Sequence, residues 1–183
     1  MQEKKYKYFM EWKYPYKTKP FDHQRTALNK SAHSLAYAYF MEMGTGKTKT
    51  AIDNIGYLYL KKEIDTVLIV APKSVYTIWS KEIQSHLPDM VQRDIFQWKV
   101  DKPKTWDKFL KSKKLKIFLM NVEALSGKTG FKEAESFLKK FPQNFVVIDE
   151  STTIKNPKAK RTKYILSLTK LIKYRRILTG SPV

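Results

Sequence analysis

An apolar stretch from Leu35 to Phe40 runs into Met41-Glu42-Met43-Gly44-Thr45-Gly46-Lys47-Thr48, and a helical pattern follows. A strand that turns through Gly-x-Gly and delivers Lys-Thr to a helix start forms a phosphate cradle. Glycines let backbone N–H groups turn inward, and the helix N-terminus adds the positive end of its dipole. In such a loop, Met43, Gly44, Thr45 and Gly46 would wrap the phosphates. Lys47 would reach the β- and γ-phosphates as a point charge, and Thr48 would offer its hydroxyl to Mg²⁺. The strict pattern G-x-x-x-x-G-K-[ST] asks for glycine where this chain has Met41. A flexible Gly-Thr-Gly turn followed by chance by Lys-Thr carries the same letters, so the rest of the chain has to arbitrate.

The remainder alternates strands and helices. Thr48 to Leu60 places Ala51, Ile52, Ile55, Leu58 and Tyr59 on one helical face. Thr66 to Ala71 is an unbroken apolar run, as in a strand buried on both sides. Pro72 ends it, and Ser74 is placed to cap a helix carrying Val75, Ile78, Trp79 and Ile83. Further strands fit Asp94 to Trp98, Lys116 to Met120, Phe145 to Ile148 and Arg176 to Thr179. Helices fit Lys104 to Lys111, Phe131 to Phe141 and Lys160 to Ile172. Repeated β–α units with apolar strands predict an α/β fold, a mostly parallel sheet with helices on both faces. Tyr6 to Pro20, basic and aromatic, reads either as a short hairpin beside the sheet or as an arm.

At 183 residues with 42% hydrophobic content, the chain is long enough for one globular domain with a full core. It has no cysteine, which excludes disulfides and Cys-based zinc sites. His23, His33 and His86 show no ligand spacing. Met1 to Lys5 lacks the apolar core of a signal peptide, and no run reaches the roughly 18 apolar residues of a membrane span. The expectation is a soluble, intracellular protein with no membrane partner.

The net charge is +19. One lysine cluster comprises Lys99, Lys102, Lys104, Lys108, Lys111, Lys113, Lys114 and Lys116. A second runs Lys155, Lys158, Lys160, Arg161, Lys163, Lys170, Lys173, Arg175 and Arg176 with no acidic residue between. Two readings stand: a polyanion-binding surface that gains affinity by releasing counterions, or a solvated lysine-rich face. Beside a nucleotide site, nucleic acid is the better fit.

The strand Phe145 to Ile148 ends in Asp149-Glu150. Carboxylates at the carboxyl end of a parallel strand lie where open α/β sheets bind ligands. Asp149 would hold Mg²⁺ through water, and Glu150 would orient and deprotonate an attacking water.

Together these residues resemble the first RecA-like domain of a superfamily 2 helicase, most of all its Swi/Snf-type branch. Glu42 to Thr48 is similar to helicase motif I, which in this branch tolerates the missing first glycine. Phe21-Asp22-His23-Gln24 resembles the Q motif. Leu68 to Val75, followed by Trp79 and Glu82, resembles motif Ia. Asp149-Glu150-Ser151-Thr152 stands where the DEAD/DEAH box belongs, and Ile154-Lys155-Asn156-Pro157 matches the signature that follows it. Leu178-Thr179-Gly180-Ser181-Pro182 resembles motif III. The glycine turn and its lysine also resemble phage-encoded members, which implies the cytoplasm of a bacterial or phage-infected cell.

The resemblance implies a basic aromatic flank over residues 1–20 and an ATP-binding RecA-like domain over 21–183. Gln24 would read adenine, and Lys47 and Glu150 would be catalytic. Lys73 and Ser74, with Lys155 and Lys158, would contact nucleic acid. Thr152, Thr179, Gly180 and Ser181 would couple the nucleotide site to motion. Thr152 replaces the His or Asp of many relatives, which implies altered coupling. Such motors need a second RecA-like domain carrying arginine fingers. The chain stops after motif III, so the expectation is a truncated motor that binds ATP and turns it over barely.

Several residues keep a plainer reading. Gln24 fits an ordinary helix surface, Lys73 a solvated turn, and Asn121 with Glu123 either a helix cap or an echo of motif Ib. Trp79 lies at core spacing. Trp98 and Trp106 are free to stack on bases, with core packing the default. The function expected is an ATP-dependent helicase or translocase hydrolysing ATP with Mg²⁺ on DNA, single- or double-stranded and sequence-tolerant. The alternatives are a nucleic-acid-binding P-loop module switched by nucleotide, or a P-loop kinase. Ile154-Lys155-Asn156 and Thr179-Gly180-Ser181-Pro182 argue against the kinase.

Overall fold

The computed structural model of the chain describes residues 13–100, 104–149 and 160–180. In chain order the elements are α1 (Asp22–Ser31), β1 (Ala36–Phe40), α2 (Lys47–Leu60), β2 (Thr66–Ala71), α3 (Lys73–His86) and β3 (Arg93–Gln97). These are followed by α4 (Thr105–Leu110), β4 (Leu115–Asn121), α5 (Val122–Ser126), α6 (Lys128–Lys140) and β5 (Asn144–Asp149). Last come α7 (Lys160–Leu168), a 3₁₀ turn (Thr169–Leu171) and β6 (Tyr174–Thr179). The strands form one sheet in the order β1-β6-β5-β2-β4-β3, with every pairing parallel. The predicted α/β class holds, and Thr66 to Ala71 is a strand with the predicted bounds.

The period-2 alternation of the strands splits the core into two layers. Val67, Ile69 and Ala71 of β2, with Ile117 and Leu119 of β4, face Ile52, Ile55 and Leu58 of α2 and Trp79 and Ile83 of α3. Leu68 and Val70, with Phe118, Val146 and Ile148, face Trp106 and Phe109 of α4, Phe137 and Leu138 of α6 and Ile165 of α7. Both faces of the central strands are covered, which is why their sequences are unbroken apolar runs.

Three local expectations need correction. The α2 helix is buried almost all round, from Lys49 to Leu58, not along one face. It lies beneath α1 and α3 as well as on the sheet, so polar Lys49, Asp53 and Asn54 are buried too. Ser74 does not cap α3: Pro72 occupies the N-cap and the helix begins at Lys73. Proline there loses nothing, since the first N–H groups of a helix have no internal acceptor. The predicted helix from Lys160 to Ile172 tightens to a 3₁₀ turn after Leu168. Buried Asn144 draws that turn in, donating to the Phe141 and Leu171 carbonyls and accepting from the Lys173 N–H.

The flank to Pro20 is neither hairpin nor free arm over its described part, residues 13–20; residues 1–12 lie outside the described ones. Tyr14 is buried against α2, edge-on to Tyr16 and Tyr57. Lys17 reaches Asp89 at 2.6 Å, and the Thr18 hydroxyl meets His86 Nδ1 at 2.7 Å. The flank thus covers Lys49 and Asp53, whose ion pair is 2.6 Å long. Burial pushes the Asp53 carboxyl up from 3.8 to about 6, against the pull of Lys49.

That shift has a sign. Between about pH 4 and pH 6 the folded chain holds more proton on Asp53 than the unfolded chain does, so this group's contribution to stability falls as pH rises through that window. The stability of Asp53→Asn relative to the parent should therefore rise from pH 4 to pH 7, measured by urea midpoints. A difference that does not move with pH would contradict it.

Candidate functional site

The loop after β1 is shaped by two glycines in the left-handed region, Gly44 at φ 77° and Gly46 at φ 83°. Gly46 is the N-cap of α2, so the loop hands the first free N–H groups of a long helix to the carboxyl edge of the sheet. A Cβ on Gly46 would run into the Gln24 side chain. That crowding and the positive φ both demand glycine.

Gln24 is buried on α1, and its amide is a strut. Its Oε1 accepts the Phe21 N–H at 3.0 Å, and its Nε2 donates to the Thr45 carbonyl at 3.0 Å. His23 Nε2 meets the same carbonyl at 2.9 Å. Lys47 folds back over the loop, donating to the Met41 and Glu42 carbonyls at 2.9 and 3.0 Å. Thr45 closes the turn through its hydroxyl on the Glu42 carbonyl at 2.7 Å. Thr48 sits half-buried in the first turn of α2, and Met43 projects outward, 87% exposed.

Asp149 is the last residue of β5 and is buried. Its Oδ2 accepts the indole N–H of Trp79 at 2.8 Å. Trp79 is fully buried, as its spacing predicted, but it also fixes this carboxylate. A tryptophan far from Asp149 in sequence gives no such signal; parallel pairing of β2 with β5 brings α3 over the strand end.

Strand β6 lies between β1 and β5, pairing Phe40 with Thr179 and Asp149 with Leu178. Buried Thr179 therefore ends beside the glycine loop. A Cβ on the next residue, Gly180, would come 3.1 Å from Met43 Cγ and 3.8 Å from Lys47 Nζ. Lys73 and Ser74 are exposed at the start of α3, directly after β2, on the same carboxyl edge. The loop, Thr179–Gly180 and Asp149 are thus brought together on adjacent strands. Glu150, Thr152, Lys155, Lys158 and Ser181 lie outside the described residues.

The model of the SNF2-related domain matches residues 29–183. This chain belongs to the SNF2-related family. Its relatives include the ISWI chromatin-remodeling complex ATPase ISW1 of Saccharomyces cerevisiae, 33% identical over 143 residues, 78% of this chain and 12% of that protein. The DNA annealing helicase and endonuclease ZRANB3 of Homo sapiens is 30% identical over 143 residues, 77% of this chain and again 12% of its own length. Among solved structures, the Sulfolobus solfataricus SWI2/SNF2 ATPase core in complex with dsDNA is similar at a TM-score of 0.71 and 26% identity. That match covers 92% of this chain and 33% of the other. The chain thus spans about an eighth of the length of these two relatives.

The basic clusters of this SNF2-related domain are thinner than their letters suggest. Arg176 is fully buried, over the Phe145 ring at 5.1 Å. Lys173 is tied to Glu63 at 2.8 Å. Lys116 is buried, donating to the Ser112 carbonyl at 3.0 Å. Lys99, Lys104, Lys108, Lys111, Lys113 and Lys114 remain exposed around β3 and α4. Trp106 packs in the core with Phe96, Phe118 and Phe137, so it is no platform for bases. Asn121 is a helix cap, accepting the Ala124 N–H at 2.7 Å.

Proposed function

We propose that this domain is the nucleotide-binding lobe of an ATP-driven motor that tracks DNA. The observation that carries it is the meeting of the glycine loop, Thr179–Gly180 and Asp149 at the carboxyl ends of β1, β6 and β5. Open parallel sheets bind ligands at such an edge. The relatives' names, a chromatin-remodelling ATPase and a DNA annealing helicase, point the same way.

In this reading the N–H groups of Gly44 to Thr48 cradle the phosphates, and Lys47 exchanges the Met41 and Glu42 carbonyls for phosphate oxygens. Gln24 has spent one amide N–H and one oxygen lone pair on the chain itself. It retains one of each, which is what an adenine edge with an acceptor and a donor requires. Thr48 and Asp149 supply a hydroxyl and a carboxylate, few enough protein oxygens to suit Mg²⁺ with its waters. When bound, that ion neutralises charge on the phosphates. Glu150 positions the attacking water, and Thr152, Thr179, Gly180 and Ser181 couple the site to movement. A second RecA-like domain in cis would bring cationic groups to the γ-phosphate.

DNA would be held by its phosphates, with Lys73 and the N–H groups opening α3 on the same edge, joined by Lys155 and Lys158. The test is fluorescence anisotropy with duplexes of two unrelated sequences across a salt series. Log K should fall by about 0.9 per log unit of salt for each phosphate neutralised. The two sequences should bind alike, and Lys73→Ala should lower the slope by about one contact. Binding that ignores salt would overturn the DNA assignment.

A further inference from the structure

Strand β3 ends the sheet: it pairs with β4 on one side and with no described residue on the other. The Trp98 N–H donates to the Leu119 carbonyl at 2.8 Å, and the Gln92 carbonyl accepts from the Leu115 N–H at 3.0 Å. Even-numbered residues therefore turn their backbone groups toward β4. By alternation, Arg93, Ile95 and Gln97 present N–H and C=O groups to the open edge. Such a row is a template for another strand.

Beside this edge lies a cavity of about 430 Å³ lined by Asp94, Phe96, Lys99, Thr105, Lys108 and Phe109, among others. Its floor is aromatic, with Phe96 and Phe109 rings 5.4 Å apart. Its rim is cationic. Lys99 and Lys108 are exposed and make no ion pair among the described residues, and Lys104, Lys111 and Lys113 stand nearby. The one rim carboxylate among the described residues, Asp94, is committed to the Ser112 hydroxyl at 2.6 Å and lies 3.7 Å from Lys114.

We propose that the free edge of β3 docks an extended acidic peptide segment, which adds a strand to the sheet. Its backbone would pair with Arg93, Ile95 and Gln97, one side chain would fill the pocket over Phe96 and Phe109, and its carboxylates would meet Lys99 and Lys108. Main-chain pairing supplies affinity in this mode, and alternate side chains supply specificity. A protein strand fits better than DNA, because a phosphate backbone cannot pair with a strand edge or fill an aromatic pocket. The surface is separate from the nucleotide edge between β1 and β5, so its test is independent of that reading.

The probe is a fluorescent peptide alternating Glu with Val and carrying one central Phe. Binding to the chain, followed by anisotropy, should weaken at least tenfold when alternate peptide nitrogens on the pairing side are methylated. It should weaken similarly with Lys99→Glu/Lys108→Glu, both exposed positions, and with Thr105→Trp, which fills the cavity. Amide exchange at Ile95 and Gln97 should slow when the parent peptide is added. Binding indifferent to N-methylation would overturn the strand-addition mode. No peptide binding, with duplex DNA affinity lost on the charge reversal, would make this a nucleic-acid surface and overturn the proposal. Loss of neither would leave the lysines as guards of a bare edge, and would overturn it too.

Discussion

Replacing Lys47 by alanine should weaken Mg²⁺–ATP binding by about 1.5–3 kcal/mol, the usual worth of a hydrogen bond to a charged group. That corresponds to roughly 10- to 150-fold in affinity. The side chain makes two hydrogen bonds here, both to loop carbonyls on the chain itself. Its removal therefore leaves two half-exposed acceptors that water can satisfy, and the fold should lose little. Affinity and stability separate in this variant, which makes it informative. Titration of a fluorescent ATP analogue against the parent and Lys47→Ala measures the first, and urea unfolding the second. Equal affinities would remove the glycine loop from the nucleotide site. A Gly46→Ala variant should behave differently. It combines a left-handed φ with a collision against Gln24, so both binding and stability should suffer.

The larger effect on stability is expected at Arg176. Its guanidinium is fully buried with no carboxylate partner among the described residues, and burial pulls its pKa down. Oxygens hold it on several sides: the Asn54 Oδ1 at 2.9 Å, the Ser31 carbonyl at 2.7 Å and the Arg175 carbonyl at 2.8 Å, with the Tyr39 hydroxyl a further partner. It ties α1, α2 and β6 together three residues before Thr179. Arg176→Ala strands buried acceptors and opens a void, and should cost about 3–5 kcal/mol. That is a large part of the stability of an ordinary domain. Arg176→Lys should recover only part of it, because an ammonium lacks the planar fork that spans these partners. Thermal and urea unfolding decide the matter. A loss within 1 kcal/mol would show that the buried cation is dispensable.

Arg176 also shows where a reading of the letters runs out. It stands in a run of cations without acids, and that pattern is the same for a surface patch as for a residue drawn inward. Its strand neighbours Tyr174 and Leu178 are buried on the same face of β6, so alternation does place Arg176 inside. The charge hid the period. In the same way Lys116 belongs to its strand and not to the lysines around it, lying under the Phe141 ring at 4.7 Å.

The sheet and its helices were written locally. Apolar runs buried on two sides, ended by Pro72 or by Asp149, can hardly be anything but central parallel strands, and their order along the chain dictates βα units. The glycine loop was legible for the same reason, because positive φ and a helix N-terminus are properties of adjacent residues. What only the tertiary structure decided is which distant groups meet. The sheet order puts β6 between β1 and β5, and so sets Gly180 beside Met43 and Lys47. Packing of α3 on β2, the strand beside β5, hands the Asp149 carboxylate to Trp79, and packing of α1 under the loop turns Gln24 into a strut. Hydrogen bonds between residues far apart in sequence leave no period or spacing in the letters. They exist only once the long-range parallel pairing has closed.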